Sequence, residues 1–286
     1  MSLSNVYNEL YGTAVATNGN LIAVGNPPST NWNYSEGLGK VGQVSIVKKN
    51  NYKQNYSINK TLSSSYAYES NSDVFYSNFG ESVDICDYFL AVGDTEFTRS
   101  LYGTSGTAGT SGTLVKKSLV SVFEINPNYY YNTSSVNHIQ PSKNLTCNIE
   151  NTNTYEITNT PIFTVTSSLA GSDFGKSVGI SNNFLVIGQP KASNNRGKVY
   201  VYKYNDEIFT YKLQTTLTSS TVLDPYQTNF GYCVSIDKYN EDKILVGCNQ
   251  PSGSKVFLFK SGSKGWKISQ RFEQITGSDY IKLEGQ

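Results

Sequence analysis

Four acidic residues near the ends of predicted strands are the best placed to do chemistry: Glu81, Asp84, Asp94 and Asp173. A glycosidase needs two carboxyl groups flanking the scissile bond, one of which protonates the leaving oxygen. No pair of acidic residues recurs along the chain, and the sequence does not show which of the four approach each other. A hydrolase is therefore the least favoured of three functional hypotheses.

The single histidine, His138, lies in a long segment rich in Asn, Ser and Thr. Nucleophilic catalysis would need its ring held beside a serine or cysteine by packed neighbours, and the surrounding sequence predicts none. One histidine is also too few for a histidine-based metal site. No glycine motif for binding nucleotides occurs. We predict that the chain is not an enzyme and carries no cofactor.

One turn, from Asp237 to Lys243, is rich in oxygen ligands. Calcium is bound by such groups at nearby positions, but no glycine follows them. We expect a solvated turn, with calcium beside Asp237, Asn240 and Asp242 as the alternative.

Four cysteines are too few for a disulfide scaffold, and they are Cys86, Cys147, Cys233 and Cys248. If the last hairpin is symmetric, Cys233 and Cys248 face each other across it. We expect two thiols there rather than a disulfide.

A phrase that occurs four times must position all of these residues. Each copy begins with an aromatic residue and a glycine: Tyr11-Gly12, Phe79-Gly80, Phe174-Gly175 and Phe230-Gly231. A turn and a short apolar run then end at a second glycine: Gly25, Gly93, Gly188 and Gly247. An alternating run and a polar outer segment follow. Repetition of this kind sets the architecture.

Short continuous apolar runs predict strands covered on both faces. Four antiparallel strands whose centre is apolar and whose outer edge is polar describe one blade of a β-propeller. We predict an all-β fold: a propeller of about four four-stranded antiparallel blades, with five blades less favoured and a β-sandwich as the other alternative.

The third copy resembles the FG-GAP repeat of integrin α-chain propellers. It contains Phe174-Gly175-Lys176-Ser177-Val178, then Leu185 to Pro190, then Gly197 to Tyr202. The resemblance implies a propeller, whereas it does not fix a function. The Asp-rich calcium loop of that family is missing from the first three copies.

The resemblance gives one domain over residues 1–286, with blades at about 10–65, 77–167, 172–218 and 228–273. The first glycines of the phrases, Gly12, Gly80, Gly175 and Gly231, are expected to serve packing, because glycine accepts positive φ where strands crowd. The two chain ends each imitate an inter-blade junction. They are expected to meet where the ring closes, or the C-terminal tail reaches a neighbouring subunit.

Two insertions, at about 94–117 and 127–160, interrupt the second blade. Loops on a rigid scaffold are where partners usually bind. The candidate partner-binding residues are Gly103, Thr107 and Gly109 in the first insertion and Tyr129, Tyr130 and Tyr131 in the second.

Charge and hydropathy limit the partners. The formal net charge is +1, whereas nucleic-acid binding needs a concentrated basic surface. No apolar stretch approaches the roughly 20 residues of a membrane span. Residues Met1 to Asn5 lack the features of a secretory signal, so we expect synthesis in the cytoplasm.

The favoured function is a non-enzymatic interaction or adhesion module, a structural part of a larger assembly such as a virion. A capsid, neck or tail protein of a phage would fit. The alternative is a carbohydrate-binding lectin, in which surface tyrosines stack on sugars. The expected partners are therefore other proteins of the assembly or, in the alternative, glycans.

Overall fold

The computed structural model describes residues 10–28, 40–49, 55–64, 76–101, 113–127, 155–167, 171–219, 228–249, 254–274 and 281–285. In these ranges the chain is all-β, with one short helical segment, α1 (Ala192–Asn195). The strands form four sheets, which confirms the predicted four-bladed β-propeller.

The first and third sheets have four strands each, running antiparallel from the inner to the outer edge. The first sheet contains β1 (Val15–Thr17), β2 (Leu21–Asn26), β4 (Gln43–Lys49) and β5 (Tyr56–Ser63). The third contains β12 (Ser177–Ile180), β13 (Phe184–Gln189), β14 (Lys198–Asn205) and β15 (Thr210–Leu217).

The second sheet adds strands to the same plan. Its blade strands are β7 (Ser82–Ile85), β8 (Phe89–Leu101), β9 (Thr113–Pro127) and β11 (Phe163–Ser167). The added strands are β3 (Lys40–Val41), β6 (Tyr76–Ser77) and β10 (Tyr155–Ile157). Strand β10 pairs with β9, while β6 pairs with β8 and also carries β3.

The fourth sheet has five strands. They are β16 (Phe230–Ile236), β17 (Lys243–Cys248), β18 (Lys255–Gly262), β19 (Gly265–Gln274) and β20 (Ile281–Gly285). Strand β20 pairs with β19 as the outermost strand. The described part of the C-terminal tail therefore joins its own sheet.

Each of the first three blades meets the next through a close approach of two backbones. A β-carbon added to Gly25 would lie 2.0 Å from the carbonyl oxygen of Gly80 in the next blade. The same construction gives 2.1 Å between Gly188 and Gly231. Real β-carbons do not approach backbone atoms so closely, so the second glycine of the first three phrases is required by the neighbouring blade.

The hydrophobic core is divided among these junctions. The buried residues form three clusters, and each joins two successive blades. Between the third and fourth blades, for example, Val186 and Val199 pack with Phe230 and Val246. Burial between sheets stabilises by roughly 25 cal/mol per Å² of apolar surface, so the blades support one another.

The predicted pairing of Cys233 with Cys248 is wrong. A bulge in β16 places Cys233 opposite Gly247, and Cys248 opposite Phe230. Both side chains are thiols; Cys233 is exposed and Cys248 is buried. Because the register shifts by one residue, the two side chains do not share a face of the sheet.

We expect Gly188→Ala to lower the free energy of unfolding by about 2–3 kcal/mol, because the new methyl group collides with backbone that is already packed. The matched control is Gly262→Ala, where the nearest atom to the added carbon is 3.9 Å away. That change should cost less than about 0.5 kcal/mol. Urea unfolding of both variants checks this, and equal losses would contradict the junction contact.

Candidate functional site

Asp84 joins three blades at one end of the propeller axis. Its Oδ2 accepts a hydrogen bond of 2.8 Å from the backbone N–H of Ile180 in the third blade. Its Oδ1 pairs at 2.6 Å with the ammonium of Lys238 in the fourth blade. Lys238 also donates to the carbonyl of Ile85, at 2.6 Å. A carboxylate with these partners holds the second, third and fourth blades together.

The turns of the inner hairpins continue this network. The amide of Asn18 donates to the carbonyl of Cys86, at 3.0 Å, and so links the first blade to the second. The backbone N–H and side-chain amide of Asn183 both donate to the carboxylate of Glu241, which links the third blade to the fourth. Polar contacts therefore connect all four inner turns at this end of the axis.

A second polar cluster surrounds Asp94, which directly follows the second glycine of its phrase. The side chain is fully buried. Its Oδ2 accepts a hydrogen bond of 2.5 Å from the Ser77 hydroxyl. Its Oδ1 makes no hydrogen bond of ordinary geometry with any described residue. Burial raises the pKa of Asp94 to about 8, against the Ser77 hydroxyl and nearby backbone amides, which lower it. The group is therefore mainly neutral at pH 7.

Glu81 lies beside this cluster and connects it to the third blade. Its carboxylate accepts a hydrogen bond from the Thr95 hydroxyl and pairs with Lys176 at 2.5 Å. The hydroxyl of the buried Ser118 donates to the carbonyl of Thr95, at 2.7 Å. These contacts fix the point at which β8 and β9 leave the body of the blade.

Beyond Asp94, strands β8 and β9 form an arm. After a bulge between Asp94 and Phe97, five further residue pairs run from Phe97–Lys117 to Leu101–Thr113. At about 3.4 Å per residue, this ladder extends roughly 17 Å. Strand β6 pairs with the base of the arm at Ser77–Phe97 and Tyr76–Thr98.

The four candidate catalytic carboxylates do not form a catalytic pair of free groups. Glu81 and Asp84 hold lysines of other blades, and Asp173 pairs with Lys191 at 2.9 Å. Asp94 has no access to solvent. Among the described residues no group of three His, Cys, Asp or Glu side chains is arranged to hold a metal ion.

The turn from Asp237 to Lys243, at which calcium binding was the alternative expectation, is stabilised internally. Asp237 Oδ1 accepts backbone hydrogen bonds from Tyr239 and Asn240, at 3.0 and 3.1 Å. The hydrogen bonds from Asn240 are the main cause that lowers the pKa of Asp237. The Lys243 ammonium pairs with Asp237 at 3.3 Å and with Asp242 at 2.5 Å. The positive charge beside both aspartates of this turn is therefore supplied by the chain itself.

Several predicted residues lie outside the described part of the chain. They are Gly103, Thr107 and Gly109, which belong to the connection between β8 and β9, and Tyr129, Tyr130, Tyr131, His138 and Cys147. Residues 102–112 join the two strands of the arm. The first proposed partner-binding loop is therefore the connection at the end of a paired ladder.

Sequence reasoning missed Ser77 as the partner of Asp94, although the sequence holds a signal for it. A polar residue follows the second glycine in three of the four copies, as Asn26, Asp94 and Gln189, whereas Cys248 stands there in the fourth. In the third blade, Gln189 likewise contacts Ser172, which stands in the position of Ser77, at 2.5 Å. The pair therefore recurs in the third blade with an amide in place of the acid, and of the four copies only the second has a carboxyl group at this position.

Comparisons with known proteins agree with the repeat. Residues 166–202 match the FG-GAP repeat family, which confirms the resemblance for the third copy. No curated protein matches the sequence. A crystal structure of Sqt1 from Saccharomyces cerevisiae is 10% identical, with 98% of this chain and 74% of that chain covered, at a TM-score of 0.33. A likeness of that size carries no argument here.

The FG-GAP repeat and the propeller together indicate a protein-interaction module, and folds of this kind are generally non-catalytic. In the described ranges, the structure has no helix long and apolar enough to cross a membrane.

We expect stability to fall as pH rises from about 4 to 8, because the folded chain keeps a proton on Asp94 that the unfolded chain has released. The slope from this one group is at most about 1.4 kcal/mol per pH unit. Asp94→Asn should remove it, since an amide side chain stands at this position in the first and third copies.

Urea unfolding of the native chain and of Asp94→Asn from pH 5 to pH 8 measures this effect. The exposed Asp206→Asn serves as the control and should keep the native slope. If Asp94→Asn and Asp206→Asn show the same pH dependence, the buried neutral carboxyl is excluded.

Millimolar calcium should leave the midpoint of thermal unfolding unchanged, since Lys243 pairs with both aspartates of the turn. Differential scanning calorimetry with calcium, and then with excess chelator, checks this. A rise with calcium that is lost in Asp237→Asn would show that the turn binds the ion.

Proposed function

We propose that the chain is a non-enzymatic interaction module that acts as a structural component of a larger assembly, such as a virus particle. The observation that carries the proposal is the arm of β8 and β9. It is one extended hairpin on a blade whose counterparts have central strands of 6–8 residues, whereas β8 and β9 have 13 and 15 residues.

Polar contacts hold the base of the arm in place, which favours a role in binding a partner. Its polar contacts include Ser77 with Asp94, Ser118 with Thr95, and Glu81 with Lys176. A binding segment that is already ordered loses less conformational entropy when a partner binds. The arm can therefore present the outer ends of its two strands, residues 97–101 and 113–117, to a partner at a defined distance from the propeller body.

The absence of an enzymatic role is part of the same proposal. Each acidic side chain that sequence analysis singled out for hydrolysis is either buried or paired with a lysine. A general acid or nucleophile must reach the substrate. Recruiting these groups for chemistry would remove contacts that hold the blades together.

Carbohydrate binding is the second candidate, and two tyrosines favour it. Tyr88 and Tyr239 occupy corresponding places in the inner turns of the second and fourth blades, and both are exposed. They lie in turns close to the Lys238–Asp84 pair. Aromatic faces beside polar groups suit a sugar ring.

The proposal predicts that the chain is recovered with other proteins at a fixed stoichiometry, and that this depends on the end of the arm. Residues 102–112 are replaced by Asn-Gly, which suits a two-residue turn between paired strands. Particles from the source organism are then purified on a density gradient, and the chain is quantified by mass spectrometry. We expect at least tenfold less of the arm variant than of the native chain.

The control replaces residues 206–209, the turn between β14 and β15, by the same Asn-Gly. This control should assemble as the native chain does. Equal recovery of the arm variant, or absence of the native chain from every particle, would refute the assembly role. A glycan array on which Tyr239→Ala loses binding would support the lectin instead.

A further inference from the structure

Two faces of the propeller have the composition of a blade junction but no blade against them. The three hydrophobic clusters join the first blade to the second, the second to the third, and the third to the fourth. In the described residues, no cluster joins the fourth blade to the first. One face of each of these blades is therefore left over.

The free face of the fourth blade corresponds to a buried face of the third. Its apolar residues, in register across the sheet, are Leu245, Val256, Leu258 and Phe272. Their counterparts in the third blade are Val186, Val199, Val201 and Leu217, which are all buried. Leu245 and Val256, by contrast, are 43% and 36% exposed.

The free face of the first blade corresponds to the other side of such a junction. Register places Val15, Val24, Ile22 and Ile58 on the same side of this sheet. Val15 corresponds to Val178, which is buried between the second and third blades. Val15 itself is 65% exposed.

The aromatic residue of the first blade's phrase is not packed against another blade, unlike the aromatic residues of the other three copies. Phe79, Phe174 and Phe230 are at most 3% exposed, whereas Tyr11 is 54% exposed. A β-carbon added to Gly12 would meet nothing within 4 Å. An aromatic ring that wedges between blades everywhere else here points into solvent.

The fourth blade carries the groups that would contact such a phrase at a junction. Ser82 and Ser177 each donate a hydrogen bond to the carbonyl of the next blade's phrase, Gly175 and Gly231, at 2.7 and 2.9 Å. Cys233 stands in their position and is exposed. Gly247, the second glycine of this blade, has only Cys233 atoms as its nearest neighbours. At the other junctions, a serine and a glycine in these positions contact a backbone carbonyl of the next blade. In the fourth blade the Cys233 thiol and Gly247 have no such carbonyl beside them among the described residues.

The fourth blade differs from the first and third at one position of this contact, because Ser254 replaces the glycine found at Gly42 and Gly197. Those two glycines lie against the backbone of Phe79 and Phe230. The second blade, however, carries Ser118 at this place and still forms its junction with Phe174. A serine is therefore compatible with the contact.

We propose that the free face of the fourth blade binds the free face of the first blade of a second copy of this chain. The two faces correspond to the two sides of a junction that the chain forms three times between its own blades. Because the matching face lies on this same chain, a second copy is the partner that can supply it. The described residues leave Tyr11 and Val15 54% and 65% exposed. The association is head-to-tail, and one copy offers both halves. It uses a different surface from the arm.

The expected result is that the native chain has the mass of two or more copies by light scattering after size-exclusion chromatography. Val15→Lys blocks only the first-blade face, and Leu245→Lys blocks only the fourth-blade face. Each variant alone should have the mass of one chain, because a lysine ammonium in a closed apolar junction is costly.

Mixing the two variants gives the decisive measurement. The intact fourth blade of Val15→Lys can still bind the intact first blade of Leu245→Lys, so an equimolar mixture should contain dimers. This outcome also shows that both variants are folded. Leu213→Lys, at a position 53% exposed on the outer strand of the third blade, is the control and should associate as the native chain does.

Three results would overturn the proposal. The first is a native chain with the mass of one copy at every concentration, which would mean that the faces close on each other within one chain or stay free. The second is a mixture that remains monomeric while both variants keep the native far-ultraviolet dichroism. The third is loss of association in Leu213→Lys, which would indicate non-specific contact.

Discussion

The close approach of a glycine in one blade to a carbonyl in the next is the constraint on which the rest of the structure depends. A β-carbon at Gly25, Gly93 or Gly188 would lie 2.0–2.2 Å from the facing carbonyl oxygen. Such an approach brings whole sheets together, so that their inner faces form the three clusters of the core. The glycines that supply these carbonyls have left-handed φ, for example 92° at Gly80 and 82° at Gly175, which side chains seldom adopt.

Polar groups complete each junction because the backbone there is removed from water. Ser82 and Ser177 donate to the carbonyls that the close approach buries, which satisfies acceptors that would otherwise be costly. At the axis, Asp84 receives donors from two other blades. Carboxylates that resemble catalytic candidates in the sequence thus serve the joining of blades in the structure.

The places where the repeat departs from itself are the candidates for interaction. The second blade departs by extending two strands into an arm, above a buried carboxyl group. The first and fourth blades depart because one face of each is left uncovered by the described residues. These features lie on different blades, so binding at the arm and association between copies can occur together.

Much of the fold could be predicted from the sequence, because the signals are local and repeated. The four aromatic-glycine phrases gave the number of blades and their order of strands correctly. The pairing of Cys233 with Cys248 was wrong, since a bulge of one residue exchanges the faces of a strand and leaves no mark in composition. The pairing of Asp94 with Ser77 was missed because the two residues are 17 positions apart.

By itself, the sequence determined the repeating unit: which residues form the strands, where each hairpin turns, and which glycines have no room for a side chain. Local periodicity and turn chemistry are sufficient for that. Only the tertiary structure decided which acidic groups are buried or paired, and which of four equivalent faces are covered. Those properties depend on the blade that stands opposite, and one repeat carries no information about its neighbour.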